Sequence, residues 1–182
     1  MMEDDHGAQP APAAYTTPPR LLNLAVAVVM EREARPNQWE DWRFRLAGVW
    51  LDDGRFGSGS EPHLLHDDGR CSQWAFAGLK LELSPDEAEG YQLNLTSGQP
   101  VWFVMWRIDD EDPSRAAPQR VTLSYLEAGR WLDAQERVDN LPLPDELVEL
   151  LRTYTEVHYR PEPKRRQRPA SFLPPERRGG ER

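Results

Sequence analysis

Large apolar residues alternate with polar ones in four stretches of the chain, the period-2 signature of strands with one buried face. In Trp42-Arg43-Phe44-Arg45-Leu46 bulky side chains alternate with arginine, and Trp50 keeps the phase after Gly48. Leu79, Leu81 and Leu83 alternate with Lys80 and Glu82; Tyr91, Leu93 and Leu95 with Gln92, Asn94 and Thr96; Val121, Leu123 and Tyr125 with Thr122 and Ser124. Two further runs are apolar on both faces: Leu21–Met30 reads as a buried strand and Val101–Trp106 as a central one. Ser97-Gly98-Gln99-Pro100 reads as the turn joining the Tyr91 strand to the Val101 strand. Asp52–Arg70 reads as a long loop with room for one short strand, and Asp109–Gln119 as an acidic excursion between strands.

Helical spacing is sparse. Ser84-Pro85-Asp86-Glu87 is a helix-start signal, with Ser84 as cap and Glu87 returning the bond, and Gly90 suits a C-terminal stop. One short turn is expected there. A longer helix is expected over Pro144–His158, where Leu147, Val148, Leu150, Leu151, Tyr154 and Val157 form one stripe. The predicted fold is β-rich α+β: an antiparallel, bent sheet or small barrel of five to seven strands, capped by the C-terminal helix.

Composition trims this domain at both ends. The chain has 182 residues, 38% of them apolar, and 17 prolines, so part of it is not expected to pack. Residues 1–20 and 160–182 hold much of the proline and are expected to be disordered, leaving one domain at 21–159. The formal charge of −9 is uneven. From Arg160 onward eight basic residues face three acids, a net +5, which leaves −14 on residues 1–159. An acidic body repels nucleic acid, which is therefore not an expected partner despite the basic tail. No apolar run approaches the roughly 18 residues of a membrane span. The acidic start Met-Met-Glu-Asp-Asp lacks the basic-then-apolar order of a secretory signal, so a cytoplasmic protein is expected.

Catalytic signatures are thin. The single cysteine, Cys71, excludes an intramolecular disulfide. His63, His66, Asp67, Asp68 and Cys71 are competent metal ligands, but their spacing matches no zinc motif, and an ordinary loop is the expectation. No nucleophile elbow or phosphate-binding loop is present, and the paired acids Asp52/Asp53 and Asp109/Asp110 read as solvated turns. The reading is therefore a non-enzyme with no cofactor and no metal. Most informative are the seven tryptophans, several of them beside arginines. Some must fill the core, but aromatic and arginine residues also dominate protein-binding hot spots. The candidate partner-binding residues are Trp39, Trp42, Arg43, Trp106, Arg107, Tyr125 and Trp131.

Val28-Val29-Met30-Glu31-Arg32, Asn37-Gln38-Trp39 and Trp42 open a wider pattern, which continues through Asp86–Tyr91, Asn94-Leu95 and Pro100–Arg107. Val121–Tyr125, Glu127-Ala128, Val138, Pro142–Pro144 and His158–Pro163 complete it. Over roughly residues 24–164 the chain resembles a bacterial family labelled only as a domain of unknown function, whose genes lie beside those of formate dehydrogenases. The resemblance implies a cytoplasmic accessory or assembly protein that binds a subunit or maturation factor of a molybdenum- or tungsten-dependent formate dehydrogenase. The alternative it leaves is a small-ligand or molybdopterin-related binding protein, or an enzyme of the same pathway. That alternative needs a pocket where Arg107, Tyr125 and nearby acids converge. Synthesis of the guanine-dinucleotide form of molybdopterin is not expected, because Glu31-Arg32-Glu33-Ala34-Arg35-Pro36 has no glycine to cradle a triphosphate.

Overall fold

A computed structural model describes residues 17–35, 41–57 and 61–161. The first strand, β1 (Leu22–Ala34), has strands on both sides, β2 (Trp42–Leu51) and β4 (Cys71–Leu83), and β3 (His63–Asp67) completes an antiparallel sheet in the order β2-β1-β4-β3. We call it sheet A. Its centre explains the unbroken apolar run: Val26–Met30 is buried on both faces. Sheet B follows, with β5 (Val101–Ile108) between β6 (Ala116–Thr122) and β7 (Arg137–Pro142). The seven strands thus form two separate antiparallel sheets, and the barrel option is not realised.

Among the described residues three α-helices complete the fold: α1 (Ala88–Thr96), α2 (Tyr125–Asp133) and α3 (Asp145–His158). The core holds Val26, Val28 and Met30 of β1, Leu81 and Leu83 of β4, Trp102, Val104 and Trp106 of β5, and Leu147, Leu151 and Tyr154 of α3. A smaller cluster of Phe103, Met105, Ala128 and Trp131 seats α2 on the other face of sheet B. Sheet A is bent by bulges. Ala77 and Gly78 together oppose Ala27, and Gly78 takes φ +76°, a conformation costly for any residue with a Cβ.

Tyr91–Thr96 is a helix, not the strand expected from its alternation. The buried residues Ala88, Tyr91 and Asn94 lie three apart, and Leu93 of the supposed strand face is 41% exposed. Ser97–Pro100 consequently joins α1 to β5. Gly90 does not end the helix; it lies within it. A Cβ there would stand 2.0 Å from Ser124 Oγ, so the glycine permits α1 to approach α2. Ser84 makes no side-chain cap, and its N–H instead donates to Tyr91 Oη at 3.1 Å. The strand expected at Val121–Tyr125 stops at Thr122, and Ser124 caps α2 by accepting from the Glu127 N–H at 3.0 Å. The Pro144–His158 helix forms as expected, and β3 is the short strand within Asp52–Arg70. The expected disordered segments 1–20 and 160–182 lie largely outside the described residues.

Candidate functional site

Buried polar groups join α1, α2 and sheet B into one unit. Asn94 is 1% exposed, and its Nδ2 donates to the carbonyls of Val101 (2.8 Å) and Leu123 (2.9 Å) while its Oδ1 accepts from the Val101 N–H (3.0 Å). Glu87 accepts from Ser124 Oγ at 2.5 Å and from the Arg130 guanidinium. The Asp86–Tyr91 segment is thus a structural joint, consistent with acids that serve local partners rather than chemistry.

Among the described residues a cavity opens between the sheets. It is a groove of about 900 Å³, floored by Met30 of β1, Phe44 of β2 and Trp74, Phe76 and Leu79 of β4. Across it stand Ile108 of β5 and Ala116–Gln119 of β6, with Glu61, Asp109, Asp110 and Asp112 at the rim. Strand parity builds the floor. Met30 pairs with Trp74 and Arg32 with Phe44, so these side chains share one face of sheet A. Trp74, Phe76 and Phe44 are all half-buried. The far wall includes Pro118, which lacks an N–H and sits on an edge strand where none is required.

Arg32 fixes the mouth of the groove. Its Nη1 donates to the Ser114 carbonyl at 3.0 Å, tying β1 to the β5–β6 turn, and its guanidinium carbon lies 4.3 Å from the centre of the Trp42 ring. Its Nε is buried without a hydrogen-bond partner among the described residues.

The residues singled out in the sequence fall on different faces. Trp42 is half-buried beneath Arg32, whereas Arg43, its neighbour on β2, is exposed on the opposite side. Trp106 and Trp131 are each only 7% exposed, so neither can anchor a surface contact. Trp106 sits in the core beside Phe44, and Trp131 lies beneath α2 with Arg120 over its ring. Arg107 is exposed and paired with Glu136, which holds its guanidinium charged and lowers the Glu136 pKa below the usual carboxylate range. Tyr125 is 53% exposed and meets the Phe103 ring edge-on. Trp39 lies outside the described residues. Sequence neighbours in a strand point opposite ways, so the tryptophan–arginine pairs do not form a single face. The pocket required by the ligand-binding alternative is also not assembled there: Arg107 borders the groove with Asp109 and Asp110, but Tyr125 does not.

Arg32, Trp74 and Phe76 were not singled out in the sequence as site residues. A signal for Trp74 and Phe76 was present in the alternation Ser72-Gln73-Trp74-Ala75-Phe76, which the structure places in β4. Among the described residues no three His, Cys, Asp or Glu side chains cluster to hold a metal. His63 stacks near Phe56, and His66 stands 3.5 Å from Asp68. No helix among the described residues is long and apolar enough to cross a membrane.

The fold and the groove define a class: a β-rich α+β domain of two antiparallel sheets with an open, aromatic-floored cleft between them. The chain belongs to the family described as "Protein of unknown function (DUF3305)", whose model matches residues 25–168. No curated protein and no solved structure matches it. The family's description names no formate dehydrogenase.

Proposed function

We propose that the protein is a non-catalytic docking module that binds another protein through the groove between its sheets. The observation that carries this reading is the row of half-buried aromatics, Phe44, Trp74 and Phe76, on the floor of a groove of about 900 Å³. Partly exposed aromatic side chains on a rigid sheet bury further area when a partner arrives, at little cost in side-chain entropy. Arg107 and Arg115 also line the groove but are paired with Glu136 and Asp112, so the remaining acids Glu61, Asp109 and Asp110 favour a partner segment that carries basic residues around an apolar centre.

The partner we propose, on the family resemblance, is a subunit or maturation factor of a bacterial formate dehydrogenase. The tagged protein, purified from a bacterium that makes such an enzyme, should carry the subunit with it. Trp74→Ala and Phe76→Ala should each reduce that recovery at least tenfold with the fold intact by circular dichroism. Repeated recovery of no such subunit, or equal recovery with both variants, would sink the proposal.

A second reading is favoured by the groove's size, which lies within the roughly 300–1,000 Å³ of small-molecule sites. It makes the protein a carrier of a pathway ligand with an apolar body, held near Arg32. Thermal stabilisation by a molybdopterin-type compound that is lost in Arg32→Met would favour this over protein docking.

A further inference from the structure

The opposite face of the same end of sheet A gathers arginines. β1 pairs Glu31 with Arg45 and Glu33 with Arg43 of β2. Strand parity therefore sets these four side chains on the face away from the groove. Arg35, just beyond β1, and Arg70, in the β3–β4 turn, join them around a second cavity of about 350 Å³. Cys71 also lines it.

The two carboxylates there are already engaged. Glu31 accepts from Arg45 Nε at 2.6 Å and from Gln73 Nε2 at 2.7 Å. Glu33 stands 3.0 Å from Arg35 and 3.6 Å from Arg70. Four guanidinium groups against two carboxylates leave an excess of two positive charges at the cavity. Residues 1–159 carry −14 in total, so this excess runs against the charge of the body around it.

We propose that this cavity binds a phosphate group in its doubly charged form, free or on a small molecule. Arginine forks donate paired N–H groups that match the oxygens of a phosphate, and the ligand's charge equals the local excess. The size favours an attached small molecule, because the cavity lies near the lower bound of roughly 300 Å³ for ligand pockets. The site is distinct from the groove: neither its arginines nor Cys71 line the groove, and Glu31 alone borders both cavities.

Cys71 makes the test specific, because it is the only cysteine in the chain and lines the cavity. Its alkylation by iodoacetamide is followed at fixed pH and fixed ionic strength, with inorganic phosphate, adenosine monophosphate or sodium chloride added. Phosphate should slow the reaction several-fold where chloride does not. Protection by the nucleotide at lower concentration than by phosphate identifies an attached phosphate as the ligand; protection by phosphate alone identifies the free ion. In the Arg43→Gln/Arg70→Gln variant the phosphate concentration for half-protection should rise about tenfold or more, in line with the loss of charge-assisted hydrogen bonds. Glu33→Gln removes a competing carboxylate and should lower that concentration. Equal protection by chloride, full protection retained in the double arginine variant, or weaker protection in Glu33→Gln would overturn the proposal. A thermal melt of each variant confirms that the chain is folded, and Glu33→Gln tests the site without removing any arginine.

Discussion

The two ends of sheet A meet opposite surroundings. At one end Leu22, Leu24, Leu81 and Leu83 join the core that holds Tyr91, Leu151 and Tyr154, and the Tyr154 hydroxyl donates to the Arg20 carbonyl at 2.5 Å. Nearby, Asn94 satisfies three backbone groups at once. At the other end Met30–Ala34, Trp42–Arg45 and Cys71–Phe76 carry an aromatic groove on one face and an arginine-lined cavity on the other. Here Arg32 Nε is left without a partner among the described residues. At the closed end Asn94 and Tyr154 have their bonds made, although Trp102 Nε1 and His158 Nε2 are buried without a partner among the described residues, and the packed core there contributes rigidity. The open end keeps partly exposed rings and surplus charge, which cost stability unless something binds them.

The sharpest way to break this contrast is at the closed end. Asn94→Ala strands the Val101 N–H and the carbonyls of Val101 and Leu123 in the interior. The expected loss is about 3–5 kcal/mol, read from the midpoint of urea unfolding. Gly90→Ala should follow at about 2–3 kcal/mol, since its Cβ meets Ser124 Oγ, a fully buried cap already bonded to Glu87.

Those two positions also show how far the sequence could be read. Leu22–Met30 of β1, Trp42–Trp50 of β2, Leu79–Leu83 of β4, β5 and α3 were legible because their apolar periods extend over many residues, whereas Cys71–Gly78 of β4 and all of β7 were not read as strand, and β6 begins at Ala116 inside the expected Asp109–Gln119 excursion. Helix α1 was not legible, because over Tyr91–Leu95 a period of two and the start of a period of 3.6 coincide in so short a segment. The close approach of Gly90 to Ser124 adds a contact across 34 residues that no local pattern encodes. Helix α2 did have a local signal, Ser124 followed by Glu127, hidden behind the alternation of Val121–Tyr125. The site was legible only in part. Of the candidate tryptophans Trp42 is half-buried, whereas Trp106 and Trp131 are buried because β5 and α2 turn those rings inward; Trp74, half-buried on the groove floor, was not among the candidates. Adjacent residues of a strand face opposite ways, so a tryptophan beside an arginine marks two surfaces.

The open end is sharpened by acid. Gln73 and then Arg45 hold the Glu31 carboxyl below its ordinary range, against the opposing effect of burial. A depressed folded-state pKa adds stability above the unfolded value of about 4.3, and that stability is lost as the pH falls through the folded value. Glu31→Gln should therefore unfold at a less pH-dependent urea midpoint than the wild type between roughly pH 5 and 3. A wild-type slope retained in the variant would show that Glu31 is not the group titrating. The smallest effect is expected at Leu132, 57% exposed on α2. Leu132→Ser should change stability by no more than about 0.5 kcal/mol and leave partner recovery unchanged.

The most direct measurement of the docking claim places a photo-activated phenylalanine analogue at Phe76, on the groove floor, with the same analogue at Leu132 as the control. Illumination in a bacterium that encodes this protein should join position 76 to one dominant protein species, and Trp74→Ala should abolish that product while position 132 yields none of it. The same products from both positions, or an undiminished product after Trp74→Ala, would contradict the assignment of the groove as the binding surface.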